Sequence, residues 1–408
     1  MNLSYISVMI PYWAGCAVIR GFSTLLLLER GFSSTQIGII LGICFAMAAI
    51  AQPLVAAKMD STEKLTLPGL TAILAVMSVF FVLCLIILPV IKPATVILII
   101  LIYMMIYILF PVTNSLAGYY MNKGYKMNFG LARGLGSLAY AGTSTLSGII
   151  MDRWPGNTIL FFLVAVWIIM IGTTCLMIHR EGRENKNPGR RNLQGERKNV
   201  ADKKEKEKAL SLPEFAREHK RFMLLLLGTM LFCIFHNMIE TYMYMIMESL
   251  GGDASDTGLA LSIAAALELI PLFLITALLT KFSTRTLMIT ASIGFSLKAL
   301  MILFAGSVGM VWFSMAFQIF AYGLQTASSV YYINELIPPK DQVKGQSLMT
   351  AAFTAGGVLG SLIGGLLIGY LGIHYLLLVG SVISVAGTVI AVLNTEDTRK
   401  VHGSKYQI

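Results

Sequence analysis

Five ionisable side chains lie inside otherwise apolar stretches of this chain: Arg20, His236, Glu240, Glu268 and Lys298. A charge in a bilayer core costs a few kcal/mol or more, so each is a candidate for handling a solute or a proton. Arg20 lies nine residues before Glu29, roughly 14 Å along a helix, and Glu240 eight before Glu248, roughly 12 Å. Half a hydrocarbon core is about 15 Å, so both belong near mid-depth. His236 precedes Glu240 by four residues and shares its helix face. A histidine there either relays protons near neutral pH or simply packs. Glu268 is twelve residues from Asp256 and thirteen from Lys281, and Lys298 is thirteen after Arg285, which places both at similar depth. A buried carboxylate that alternates between a proton and a cationic partner is a workable coupling device. Glu268 is accordingly the expected proton carrier and Lys298 its counter-ion; a static ion pair is the competing role.

These groups need long apolar helices to hold them. Hydrophobic residues make up 56% of the 408 and charged residues only 13%, whereas a soluble chain carries about a quarter charged. A bilayer-spanning helix needs about 20 apolar residues. Twelve such spans are predicted, at 5–28, 34–57, 66–90, 94–120, 129–151, 157–179, 221–248, 256–280, 285–305, 308–336, 345–370 and 373–394. The first lacks the basic leader and short apolar core of a cleaved signal, so it is expected to stay as a helix. Between spans 6 and 7, the 42 residues from Arg180 to Arg221 carry fourteen Lys/Arg and eight Asp/Glu. Such a mixed-charge stretch cannot bury enough surface to fold alone. Its end differs: Ser211 and Glu214 form a capping-box pattern that opens a short helix. The expected organisation is a six-span half (1–179), a mostly disordered linker (180–220), a second six-span half (221–394) and a tail (395–408). Twenty-six of the 31 Lys/Arg fall on the linker's side of the spans and three on the other, which puts both termini and the linker in the cytoplasm. The net charge of +10 thus reports topology, not nucleic-acid binding. The five cysteines all fall within spans without paired spacing and are expected as packing residues.

The halves repeat one another. Gly31 to Gly38 follows span 1, and Gly251 to Gly258 follows span 7 with the same spacing. Arg20 precedes Gly38 by eighteen residues, as Glu240 precedes Gly258, so the two are pseudo-symmetry equivalents. Spans 5 and 11 are rich in Gly, Ala, Ser and Thr, which allows close helix approach. Two parallel six-helix repeats joined by a cytoplasmic linker form a transporter architecture.

In these features, and over essentially its whole length, the sequence resembles the major facilitator superfamily. The resemblance implies an all-α polytopic membrane protein with twelve transmembrane helices in two pseudo-symmetric halves. Pro53 to Lys64 resembles the superfamily's Gly-x-x-x-Asp-basic loop, with Asp60 kept as its conformational-gating residue and Ala56 where Gly is usual. Asn128 to Tyr140 is similar to the Phe-Gly-x-x-Arg stretch of the lactose-permease-like branch of sugar and nucleoside proton symporters. That branch implies a substrate-binding role for Arg133, which otherwise reads as a positive-inside residue opening span 5, and a stacking role for Tyr140. It also makes Glu268 and Pro271 a match for the branch's Glu-x-Pro region, and it faces Arg20 and Glu240 across a cavity, as an ion pair, a pair bridged by substrate, or a latch between the halves. Two departures count against a galactoside: Ser115 replaces the branch's carboxylate on span 4, and the His and Glu of span 10 are missing.

The remaining cavity candidates are neutral or aromatic. Gln318, Tyr322 and Gln325 are spaced to share one face of span 10, Tyr103, Tyr107 and Asn114 one of span 4, and Asn237, Glu240 and Tyr244 one of span 7. Hydroxyls, amides and ring faces suit a polyhydroxylated or heterocyclic solute. The expected function is proton-coupled import of a small polar solute, a sugar or nucleoside, by alternating access; the alternative is a proton-driven drug or metabolite efflux antiporter. The expected partners are the solute, protons and the lipid bilayer, with the protein a monomer in a bacterial cytoplasmic membrane. No cofactor, metal or nucleic acid is expected. The sequence contains no H-E-x-x-H, nucleophile elbow or phosphate-binding loop, which argues against an enzyme and against ATP-driven transport.

Overall fold

The computed structural model describes residues 1–60, 66–154, 156–184 and 210–397, with backbone only for 53–54, 56–60 and 184. Among them the regular elements are helical: α1 (Asn2–Glu29), α2 (Ser34–Asp60), α3 (Leu67–Ile87), α4 (Lys92–Asn122), α5 (Phe129–Arg153), α6 (Thr158–Glu184), α7 (Leu212–Glu218), α8 (Lys220–Ser249), α9 (Ala254–Lys281), α10 (Thr284–Leu303), α11 (Val308–Met315), α12 (Tyr322–Leu336), α13 (Gln342–Leu371) and α14 (Ile373–Asn394). A helix satisfies its own backbone hydrogen bonds, which an apolar bilayer demands. Eleven helical stretches among the described residues are long and apolar enough to cross one, α11 and α12 counting together. The other long helix, α5, is diluted by Gly, Ser and Thr and by Arg133, Asp152 and Arg153.

The chain forms two compact units. One is Met1–Leu26 with Ile43–Glu205, and the other Leu27–Gly42 with Lys206–Ile408. In the first, α3 lies against α4 and α6. The end of α6 runs to Glu184, past the expected limit at 179, with Glu181 buried within it. Glu181 accepts hydrogen bonds from Tyr119 (3.2 Å), Tyr120 (2.9 Å) and Lys123, and Arg180 donates to Ser4 (2.9 Å).

In the second unit α8 packs on α13 and α14, and glycine makes that approach possible. Gly356, Gly360 and Gly364 stand four residues apart on α13 against Cys233, Ile234 and Tyr242 of α8, and Gly228 of α8 meets Gly387 of α14 backbone to backbone. Small residues at such spacing let membrane helices close to contact. A core of Phe222, Phe232, Met288, Phe295 and Tyr332 fills the space beside them. The corner repeat is also visible. Gly31 (φ 75°) and Gly251 (φ 79°) both take the left-handed conformation. Each closes its helix with a paired turn: Gly31 N–H to Leu28 and Phe32 N–H to Leu27, Gly251 N–H to Glu248 and Gly252 N–H to Met247. A non-glycine residue is disfavoured there, so glycine is the residue for both corners.

Two expectations of helix continuity fail. Span 10 is broken: α11 ends at Met315, a 3₁₀ turn covers Ala316–Ile319, and Ala321 is non-helical (φ −88°, ψ −104°). Gly294 of α10 presses against this break, where a Cβ would lie 2.7 Å from the Phe320 carbonyl. Gln318 therefore precedes the break while Tyr322 and Gln325 follow it, so helix spacing does not relate the three. In α8, Tyr242 is non-helical (φ −107°, ψ 18°). Its hydroxyl donates to the Ser361 carbonyl at 2.6 Å, and Tyr244, beyond the kink, donates to Glu248 at 3.3 Å. The kink at Tyr242 thus separates Tyr244 from Asn237 and Glu240.

Residues 185–209 of the expected linker lie outside the described residues, but its closing helix forms as α7. Ser211 and Glu214 make the capping box, and Phe215 is fully buried in the second unit's core. Ahead of it, Leu210 is held from both sides: Asp341 accepts its N–H at 3.0 Å and Lys344 donates to its carbonyl. Lys344 also bonds Asp341 at 2.8 Å. Burial pushes the Asp341 carboxyl up, but the Lys344 ammonium and the Leu210 N–H outweigh it and hold the group below its ordinary value. A depressed carboxyl stabilises the fold above the unfolded value, near pH 4, and that contribution fades as pH falls through the lower folded value. Asp341→Asn is expected to loosen α7 at neutral pH, read as faster amide hydrogen exchange across 210–218 with the transmembrane helices unchanged.

Candidate functional site

The first unit gathers its predicted residues into two neighbouring clusters. In one, the Tyr103 and Tyr107 rings stack at 6.1 Å between centroids (26° interplanar), with Phe45 against both at 6.4 and 5.6 Å. Arg20 acts electrostatically on Tyr12 and Tyr103. The Tyr103 hydroxyl donates to the Ile19 carbonyl at 3.4 Å, and Gln52 donates to the Tyr107 carbonyl at 2.9 Å. Asn114, further along the same face of α4, has a buried Oδ1 without a hydrogen-bond partner. In the other cluster, the Arg133 guanidinium lies 3.9 Å from the centre of the Trp13 ring and donates to Ser137. Tyr140 meets Trp13 edge-on at 6.4 Å. Arg133 is thus half-buried and turned to α1 rather than standing as a solvated residue at a helix start. The side chain of Asp60, the expected gate residue, lies outside the described residues.

The second unit brings its ionisable groups together. Lys298 is only 2% exposed, and its ammonium donates to Gln318 Oε1 at 2.7 Å. Its charged neighbours are Glu240 and then Glu268. His236 Nε2 lies 3.5 Å from Glu240 Oε1. The His236 ring stacks on Tyr322 at 5.0 Å (22°) and meets Phe295 edge-on at 5.5 Å. Helix α9 carries Glu268 against the break in span 10: a Cβ on Gly323 would stand 2.9 Å from the Glu268 carbonyl. Asn237 spends its amide on the Cys233 carbonyl at 2.8 Å. Gln325 is fully buried, and neither its Oε1 nor its Nε2 has a partner. Leaving a buried amide unmatched costs about 1–3 kcal/mol.

Chemically, the second unit holds one desolvated cation on which two carboxylates act, with an imidazole beside one of them. The first presents guanidinium groups beside aromatic faces. Trp13, Phe45 and Gln52 join these clusters although spacing alone did not single them out. Trp13 had a signal, standing seven residues before Arg20 and hence on the same face of α1.

Solved structures share the fold. The nucleoside transporter NupG matches with TM-scores of 0.77 and 0.73 in two structures, at 13% and 15% identity, over 97% and 99% of this chain and 100% of each of those. A bacterial homologue of the human lysosomal transporter Spinster, inward-facing and occupied, matches at 0.65 with 13% identity, over 96% of both chains. At such identities the likeness is one of fold. No curated protein sequence matches the chain. The decisive match is to a family: residues 3–379 fit the MFS_1-like family, and the chain belongs to it, a multi-pass major facilitator transporter and not an enzyme.

Proposed function

We propose that this transporter imports a small polar solute, a sugar or nucleoside, in symport with protons by alternating access. The observation that supports the coupling is the second unit's charged group, in which the buried Lys298 is held by Gln318, the partly exposed Glu240 and Glu268 act on it, and His236 stands beside Glu240. A carboxylate that exchanges a proton for this cation converts a proton gradient into a change of packing. Glu268 is the proposed carrier. The polar and aromatic residues Arg20, Tyr103, Tyr107, Asn114, Arg133, Tyr140, Asn237, Tyr322 and Gln325 are the proposed solute contacts. The likeness to NupG tilts the solute class towards nucleosides. Both termini and the linker are proposed to face the cytoplasm of a bacterial inner membrane. Arg20 and Glu240 fall in different units, and their pairing belongs to the same proposal. A charge swap (Arg20→Glu with Glu240→Arg) that restores uptake identifies a latch, and one that does not identifies a solute site.

The test is the pH of a lightly buffered, energy-depleted suspension of expressing cells as single solutes are added. Uridine, thymidine or a hexose is expected to produce a transient alkalinisation that Glu268→Gln removes. Acidification on adding a hydrophobic cation, with silence from the polar solutes, overturns import in favour of efflux. An undiminished signal in Glu268→Gln removes that residue from the coupling.

A further inference from the structure

Trp13 combines four features that packing alone does not require. Its ring is nearly buried, at 8% exposure, yet its indole Nε1 has no hydrogen-bond partner. The Arg133 guanidinium covers one face, 3.9 Å from the ring centre. Tyr140, Phe110 and Tyr12 stand edge-on at 6.4, 5.9 and 5.5 Å. Gly136 of α5 makes room for it, since a Cβ there would lie 2.3 Å from Trp13 Cδ1. An aromatic wall is thus built around one unused donor and one guanidinium. Arg133 gives one of its five N–H donors to Ser137 and keeps others in reserve.

The chemistry of this set is one-sided. Indole and guanidinium groups donate and never accept. A sugar hydroxyl can accept from such a wall, but its own O–H finds no acceptor there. A ring carbonyl on a planar heterocycle only accepts, and its flat face also suits aromatic surroundings. We propose that Trp13 is a specificity-determining residue that donates its indole N–H to a ring carbonyl of a pyrimidine-type base, with Arg133 as the adjoining donor. This rests on the nucleoside arm of the function proposed above and assigns the base-recognising part of that site to α1 and α5.

The test uses the purified full-length protein in proteoliposomes under an imposed proton gradient. Uptake of labelled uridine is competed with unlabelled uridine, with the pyrimidin-2-one and pyrimidin-4-one ribosides, each lacking one ring carbonyl, and with glucose. In the native protein one of the two analogues is expected to compete about threefold to tenfold less well than uridine, the worth of one neutral hydrogen bond. Trp13→Phe keeps an aromatic ring without the donor. It is expected to raise the KM for uridine by the same factor and to erase the difference between uridine and that analogue. An equal loss for all three ribosides in Trp13→Phe overturns the donor role and leaves nucleoside transport standing. Uptake of glucose and of no nucleoside overturns the inference together with the nucleoside arm, while solute transport stands. If Trp13→Phe fails to insert, the native series still decides: equal competition by all three ribosides overturns the proposal, and a selective loss for one supports it.

Discussion

Lys298→Met is expected to lower proton-driven accumulation at least a hundredfold while counterflow exchange, which needs no net proton movement, survives. The side chain is 2% exposed, so methionine matches its stem and removes only the charge. The native ammonium has Gln318 as its hydrogen-bond partner and Glu240 and Glu268 as its charged neighbours. Removing the buried cation leaves its partly exposed carboxylate neighbours uncompensated, at less than the about 3–5 kcal/mol of a fully buried pair. A carboxylate that loses its proton in the variant has no cation to turn to, so the coupling step stalls. Lys298→Arg keeps the charge on a larger, forked head and is expected to retain part of the accumulation. Accumulation ratio and counterflow are measured side by side in proteoliposomes. Loss of both, with the protein absent from the membrane, would make Lys298 a static stabiliser of α10.

Gly360→Leu is expected to remove most folded protein from the membrane, read as loss of the monodisperse peak in detergent size-exclusion. A Cβ at this position would lie 2.5 Å from the Ile234 carbonyl and 3.2 Å from Asn237 Cβ. The first neighbour is helix backbone, which cannot swing aside, so α13 and α8 must separate. Overpacking a tight contact costs about 1–3 kcal/mol, and here the whole interface moves. The displaced helix carries His236, Asn237 and Glu240, so the surviving fraction is expected to transport slowly as well. Gly142→Leu is the control: no atom lies within 4 Å of its Cβ position, and native yield is expected. Equal yields for the two variants would mean that the α8–α13 approach is not tight.

The apolar spans and their repeat were legible because they follow from local rules. A bilayer sets the length of its helices, and a left-handed corner selects glycine at 31 and 251 alike. The ionisable residues were legible for a related reason: an isolated charge in an apolar run is costly wherever it folds. His236 and Glu240 are four apart on one helix, so their contact at 3.5 Å follows from helix geometry.

Contacts between helices were not legible. Spacing along a helix fixes a face but not which side chain meets it from another helix. Lys298 was expected as the counter-ion of Glu268; Glu268 does act on it, but so does Glu240, and its hydrogen bond goes to Gln318, which spacing alone did not indicate. The faces drawn through 318, 322 and 325 and through 237, 240 and 244 assumed unbroken helices. The backbone of span 10 breaks where Gly294 presses in, and α8 kinks where Tyr242 reaches Ser361. Trp13 stayed hidden because an indole in an apolar span looks like packing until Arg133 and three aromatic edges are seen to converge on it in space. Composition and periodicity decide that this chain forms membrane helices in two halves, since burial and backbone hydrogen bonding act locally. Which polar atoms meet, and where a helix must break to let them, is decided by close packing between helices, which only tertiary structure contains.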